Sequence, residues 1–402
     1  TITMTRIMFP FLLEVSWAAI IMGMLNSMGV FFVSAIAPVC LNLAMIAAGF
    51  TLCPLFEQYG YPPIVGMAVG AMVGGFLQLG VQLPALWRKG FRLGWSWNPS
   101  DPGLRKILSL IIPGTIGLAA TQVNIAVSTI LATSQGTGAV SWLGYAFRLM
   151  QLPLGLFGVA IAQATLPVIS RQAAAGELGN MKKTLAYSIR LTTFINLTAA
   201  LSLIALAEPV IRLLFQHGRF SLADTLATAS ALRAYAIGLL FFSLIKVLGP
   251  AFYALGNTRI PVKASLASVG INLVLNLLLI GPLGYWGLAL GASLASGVNA
   301  AILFLGLRQH LGGWGDSGLG VSFMKSLTSG GVGAVVMYLV FPLAPGAISF
   351  SAPELMGRTV LDGLGLLTAG VAGGVTIFVM AKILGVAEVD QAMRLIRRKL
   401  KI

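Results

Sequence analysis

Residues 263–306 read KASLASVGINLVLNLLLIGPLGYWGLALGASLASGVNAAILFLG. After Lys263 no side chain in this stretch is charged, and its one break falls at Gly281-Pro282-Leu283-Gly284. A hydrocarbon core about 30 Å thick needs roughly 20 apolar residues per helical crossing. The stretch therefore predicts two membrane spans, 263–281 and 286–306, turned back on each other. The same ruler moved along the chain gives nine more: 7–28, 36–56, 63–84, 107–133, 142–168, 187–207, 229–254, 323–342 and 360–384. The expected fold class is all-α, a polytopic transmembrane bundle of about 11 spans.

Composition agrees. Of 402 residues 57% are hydrophobic and 9% charged, so the solvent for most of the surface is lipid. The first span lacks a basic leader and a cleavage-type ending and runs straight into further spans, unlike a signal peptide. Twenty-six basic against 11 acidic residues give +15, but the cations sit in short loops and the tail, so no nucleic-acid partner is expected. Cys40 and Cys53 share one apolar segment and His217 and His310 lie far apart; neither a disulfide framework, a metal site nor any cofactor is indicated. There is no Walker-type glycine loop with its Lys, no nucleophile beside a base and no pair of acids, so the chain is not expected to be an enzyme. Energy for any transport has to come from gradients or the membrane potential.

Lys and Arg in short loops mark the cytoplasmic side. Taken alternately, one set of loops holds Arg88, Lys89, Arg92, Arg105 and Lys106, then Arg171, Lys182, Lys183 and Arg190, then Arg259 and Lys263, then Arg308 and Lys325. The tail adds Lys382, Arg394, Arg397, Arg398, Lys399 and Lys401. The opposite set holds only Arg6, Arg212, Arg219 and Arg358, partly offset by Glu208, Asp224, Glu354 and Asp362. The tail is predicted inside, and parity then predicts an odd number of helices before Thr1. The tail from Arg394 to Lys401 suits either an anionic inner leaflet or a solvated topology anchor. The Pro- and Gly-rich loop from Trp87 to Lys106 is the natural boundary between two bundles.

Arg148, Arg233, Lys246 and Glu14 fall inside predicted spans, where an ion costs about 2.5 to 3.5 kcal/mol and belongs in a protein interior or watery cavity. Arg233, near its helix start, also fits snorkelling to the interface; Arg148 and Lys246 lie deeper and are read as cavity residues. An excess of cations suits an anionic cargo, since guanidinium binds phosphate through paired charge-assisted hydrogen bonds. Glu14 has two readings, a partner for one of these cations or a ligand for a coupling cation. Gln122, Asn124, Gln151, Asn272, Asn276 and Asn299 are polar enough to line a path or to join helices. Pro113, Pro153 and Pro250 are candidate kinks, and Gly66, Gly70 and Gly74 recur on one helical face as a packing stripe.

The segment 141–155, SWLGYAFRLMQLPLG, together with Thr5-Arg6-Ile7-Met8-Phe9-Pro10, Leu25-Asn26-Ser27, Ala37 to Asn42, Phe157 to Ala160, Leu166-Pro167, Lys246-Val247-Leu248 and Pro261-Val262-Lys263, resembles the MurJ, or MviN, family of lipid II flippases. The resemblance implies an exporter-type fold of two six-helix lobes with two further helices forming a lipid-tail groove. This chain would supply the fourth to fourteenth of fourteen helices. It divides the chain into 1–90 (three helices of the N-terminal lobe), 91–106 (cytoplasmic linker), 107–310 (the six-helix C-terminal lobe), 320–385 (two groove helices) and 386–402 (basic cytoplasmic tail). It implies a bacterial cytoplasmic membrane location and lipid II, an undecaprenyl-pyrophosphate-linked precursor, as cargo. Membrane lipids are the remaining partners; the oligomeric state is left open. Arg148 is the expected pyrophosphate ligand, with Lys246, Gln151, Gln122 and Asn124 as further substrate residues and Glu14 as ion or charge partner. Where the family writes Asp before this Arg and Glu three residues after it, this chain has Phe147 and Gln151. The alternatives are a flippase or exporter of another polyprenyl-linked glycan or a small molecule, and a non-transporting membrane protein.

Overall fold

A computed structural model describes residues 2–91, 103, 122–315, 317–351 and 358–389. No strand is present among them. Ten helices among the described residues are long and apolar enough to cross a membrane, and they coincide with the predicted spans apart from 107–133. Of that span only the helix at Gln122–Thr133 lies among the described residues. The linker 91–106, except Phe91 and Gly103, and the tail from residue 390 also lie outside them. The chain is an all-α, multi-pass membrane protein, and it divides into two compact units, Thr1–Leu104 and Arg105–Ile402.

The first unit contains α1 (Ile2–Met8), α2 (Phe11–Ser27), α3 (Phe31–Phe50), α4 (Leu52–Gln58) and α5 (Ile64–Arg88). Pro54, which has no N–H and crowds the carbonyl four residues back, explains why α3 stops at Phe50 and α4 begins after Thr51. The glycine stripe on α5 lets backbones meet. A Cβ at Gly66 would lie 2.7 Å from the Cys53 nitrogen, one at Gly70 2.3 Å from the Ala48 Cβ, and one at Gly74 3.0 Å from the Leu41 Cα. Glycine is the residue that fits this contact. Ala18, Ile21 and Leu25 of α2 are buried at three- and four-residue spacing, and Ile21 and Leu25 cluster with Leu86 of α5.

The second unit runs α6 (Gln122–Thr133), α7 (Ala139–Pro153), a π-helical turn at Leu154–Val159, α8 (Ala160–Ala174), α9 (Leu178–Ala205), α10 (Ala207–Phe215), α11 (Leu222–Ala254), α12 (Arg259–Leu283), α13 (Tyr285–His310), α14 (Leu319–Ser351) and α15 (Arg358–Ile383). Its centre is α11, which packs on α7, α9 and α13. One apolar core gathers Ala146, Met150, Leu232, Leu239 and Leu288; a second, further along α11, gathers Leu185, Leu248, Phe252 and Leu307. Ser221 and Asp224 form a capping box at the start of α11, and Trp142 Nε1 donates to Asp224 Oδ1 at 2.8 Å, tying α7 to the same point.

α14 and α15 cross at two glycines. A Cβ on Gly333 would lie 3.1 Å from the Gly373 carbonyl oxygen, and one on Gly373 would lie 3.0 Å from that of Gly333. α14 also packs along α9. The start of the predicted tail belongs to this body: Val386 and Glu388 are buried, and Arg190 Nε of α9 donates to Glu388 Oε1 at 2.6 Å. Arg190 also donates to the Ser317 carbonyl, and Lys325 Nζ to the Gly385 carbonyl at 2.9 Å.

Candidate functional site

On α7, Ala139, Leu143, Ala146, Leu149 and Met150 are buried. At 100° per residue this leaves Phe147, Arg148, Gln151 and Leu152 on the opposite face, and all four are exposed. Arg148 has no acidic partner among the described residues. Its guanidinium carbon stands 5.9 Å from the centre of the Tyr145 ring, three residues back, close enough for a cation–π contact. Tyr145 is held by Phe215 and Phe220, with ring centres at 4.7 and 5.8 Å. Phe147 packs edge-on against Tyr235 of α11 at 5.4 Å. A guanidinium left uncovered on a membrane helix needs water or an anion rather than lipid chains.

One turn beyond, Pro153 interrupts the α-helical ladder and the chain passes into the π-helical turn. That turn lies against α11: a Cβ on Gly158 would come within 2.9 Å of Ser243 Oγ. Widened turns of this kind recur where a helix serves a site. The predicted kink is therefore a change of helix type directly after the Arg148–Gln151 face.

Asn124 precedes the end of α6 by about 14 Å of helix, and Arg148 follows the start of α7 by about the same length. The two helices are joined by the short loop 134–138, so Asn124 and Arg148 each stand the same length of helix from that loop. Asn124 is half-buried, and Gln122 is exposed one half-turn away. Lys246, also exposed, is not at this level: it lies beyond Tyr235 along α11 by about 17 Å. By helix length alone Arg148 and Asn124 make one candidate tier, with Gln151 three residues further along α7, and Lys246 stands on another.

Several polar residues are structural. Asn276 Nδ2 donates to Ser128 Oγ at 3.0 Å, joining α12 to α6, and exchanges weaker contacts with Asn272. Arg233 Nε donates to the carbonyl of Ile204 at 3.4 Å, in the last turn of α9, where the helix presents unpaired carbonyls and its negative pole. That contact puts Arg233 level with the end of a span, as snorkelling requires.

In the first unit Glu14 is buried at 5% exposure against α5, where Gly75 has no side chain; a Cβ there would fall 2.0 Å from Glu14 Oε2. Neither carboxylate oxygen has a hydrogen-bond partner among the described residues. Gln82, also on α5, is fully buried with its amide nitrogen and oxygen likewise unpartnered. No group of three or more His, Cys, Asp or Glu that could hold a metal ion occurs among the described residues. Tyr145 was not singled out from the sequence; an aromatic three residues before a span arginine, on a shared face, was the available signal.

The family model described as "Lipid II flippase MurJ" matches residues 1–356. The chain is 39% identical over 308 residues to the "Probable lipid II flippase MurJ" of Vibrio cholerae serotype O1, covering 77% of this chain and 58% of that protein. It is 35% identical over 342 residues to the protein of the same name from Haemophilus influenzae, covering 83% and 66%. The chain thus spans less than two thirds of either relative. A solved structure, "Lipid II flippase MurJ, inward closed conformation", superposes with a TM-score of 0.73 at 22% identity, over 95% of this chain and 74% of that one; at that identity the likeness is one of fold.

Proposed function

The chain belongs to the MurJ lipid II flippase family, and from that membership we propose that it serves in moving lipid II from the inner to the outer leaflet of a bacterial cytoplasmic membrane by alternating access. The observation carrying this reading is the family match along residues 1–356. In the proposed mechanism Arg148 holds the pyrophosphate through its planar fork, a task a point-charge ammonium does poorly. Gln151 and Asn124 add neutral donors at the same depth, with Gln122 beside them. Lys246, about 17 Å further along α11 from Tyr235, meets the anion at a different stage of the crossing. The π-helical turn after Pro153 is the flexible joint beside this tier. Phe147 and Gln151, in place of acids, leave the field around Arg148 positive, which favours an anionic group.

Glu14 takes the role of a coupling-cation ligand, a proton included. Its support is the burial of both carboxylate oxygens without a partner, which a charged carboxylate tolerates poorly unless a cation joins it. The lobe, linker and groove-helix division implied by the family is retained as part of this reading, with the carboxyl end inside.

The test is rescue of cells depleted of their own lipid II flippase by the gene encoding this chain, with membrane-inserted protein quantified beside growth. Rescue by the unaltered gene and failure of an equally abundant Arg148→Ala are expected. Absence of any rescue would remove the flippase reading, and normal growth of the variant would remove Arg148 from the site. For sidedness, with Cys40 and Cys53 replaced, a cysteine at 217 should react with an impermeant reagent from outside and one at 182 should not. The reverse pattern would invert the topology.

A further inference from the structure

At one end of the second unit a cavity of about 250 Å³ opens between the last turn of α9, α10, α11 and α14. Arg212, Arg233 and Glu208 line it together with Tyr338, Leu339 and Phe341. We propose that this cavity is a binding site for the phosphate headgroup of an acidic phospholipid, with an acyl chain laid along α14. The inference does not depend on what the chain transports.

Position is the first argument. The bond from Arg233 to the Ile204 carbonyl fixes the guanidinium at the level where α9 ends, and α10 begins two residues further on. Ends of spans lie where lipid headgroups lie. Charge is the second. Arg212 pairs with Glu208 one turn earlier on α10, which neutralises one of the two guanidiniums. Arg233 uses only its Nε in the described contacts, so both terminal nitrogens remain to donate. Among the described residues the cavity keeps one uncompensated positive charge, and a phosphodiester carries one negative charge. Guanidinium matches phosphate oxygens in a two-pronged fashion, and the Tyr338 phenol supplies a further donor at the rim.

Shape is the third argument, and it separates a lipid from a free anion. Leu339 and Tyr338 are 56% and 66% exposed and continue the cavity wall along α14. A dissolved phosphate has no use for that surface, whereas an acyl chain covers it and gains about 0.8 kcal/mol per buried methylene. Recognition of the headgroup and burial of the chain then act on one molecule.

The test is native mass spectrometry of the delipidated full chain, titrated with phosphatidylglycerol, with phosphatidylcholine of the same chains, and with inorganic phosphate as competitor. The unaltered chain should favour phosphatidylglycerol over phosphatidylcholine by about tenfold, a difference of roughly 1.4 kcal/mol. Arg233→Gln should bring the two lipids to within about twofold of each other, since it removes a charge-assisted contact. Glu208→Gln should tighten phosphatidylglycerol several-fold, because it frees Arg212 from its competing carboxylate. Millimolar phosphate should displace neither lipid. Equal binding of both lipids by the unaltered chain, full preference in Arg233→Gln, or complete displacement by phosphate would each overturn the proposal; the last would identify a free-anion site. Should Arg233→Gln fail to fold by circular dichroism, Glu208→Gln decides alone, and unchanged or weaker phosphatidylglycerol binding would overturn it.

Discussion

Arg148 and Arg190 are both guanidiniums on long apolar helices of the same unit, and the fold treats them in opposite ways. Arg190 of α9 is matched from two other parts of the chain, the Ser317 carbonyl before α14 and the buried carboxylate of Glu388 after α15. Among the described residues Arg148 meets a tyrosine ring and no acid. Arg233 lies between them, with one helix-end carbonyl and, among the described residues, no partner for its two terminal nitrogens. A cation whose obligations are all met inside the protein is part of the frame, and a cation left with unmet ones is available to something else. Effects on stability and on transport should therefore run in opposite order across the three.

Glu388→Ala should cost most in stability, about 3 kcal/mol, the low end of what breaking a buried ion pair costs because Arg190 keeps 24% of its side chain exposed. Thermal unfolding in detergent and membrane abundance should both fall; an unchanged melting temperature would mean the pair is incidental. Arg233→Ala should cost about 1 kcal/mol, the worth of a cation at a helix C-terminus, and leave growth in the depletion assay intact. Arg148→Lys should change stability by less than about 0.5 kcal/mol, as surface substitutions do, while reducing rescue clearly and less completely than Arg148→Ala. If the lysine variant rescues fully, charge alone suffices and the fork assigned to Arg148 is unnecessary. The smallest stability effect belongs to Glu14→Gln, a near-isosteric neutral change. Its signature is loss of the dependence of rescue on the imposed cation gradient, and a variant that keeps this dependence would return Glu14 to a packing role.

Hydropathy made the spans legible because a lipid solvent enforces apolar runs of a fixed length. The glycine stripe on α5 was legible too, since Gly66, Gly70 and Gly74 share a face in any helix. Boundaries were not: α9 begins at Leu178 rather than 187, because Met181 and Leu185 pack into a core that continues past the apolar run. Hydropathy also left open whether Arg233 faced a cavity or an interface, since that depends on where a neighbouring helix happens to end. The partner of Arg190 stands 198 residues away, beyond the reach of any local spacing rule. For the candidate tier, the sequence singled out Arg148, Gln151 and Asn124 as charged or polar residues in apolar runs. The predicted spans already set Lys246 deeper than Arg148; what they could not supply is the register of α7 against α11, which is set by ring and cap contacts such as Phe147 with Tyr235 and Trp142 with Asp224.

The link between Arg190 and Glu388 also sets a schedule for synthesis. Ribosomes add roughly 5 to 20 residues per second, so about 10 to 40 s pass between the emergence of the arginine and that of its carboxylate. During that interval the guanidinium on α9 lacks its carboxylate, which arrives only after α15 is complete. A chain that stalls before residue 388 would keep that guanidinium without its counter-charge, so the last helix-end contact to be made is also the one that completes the frame around α9.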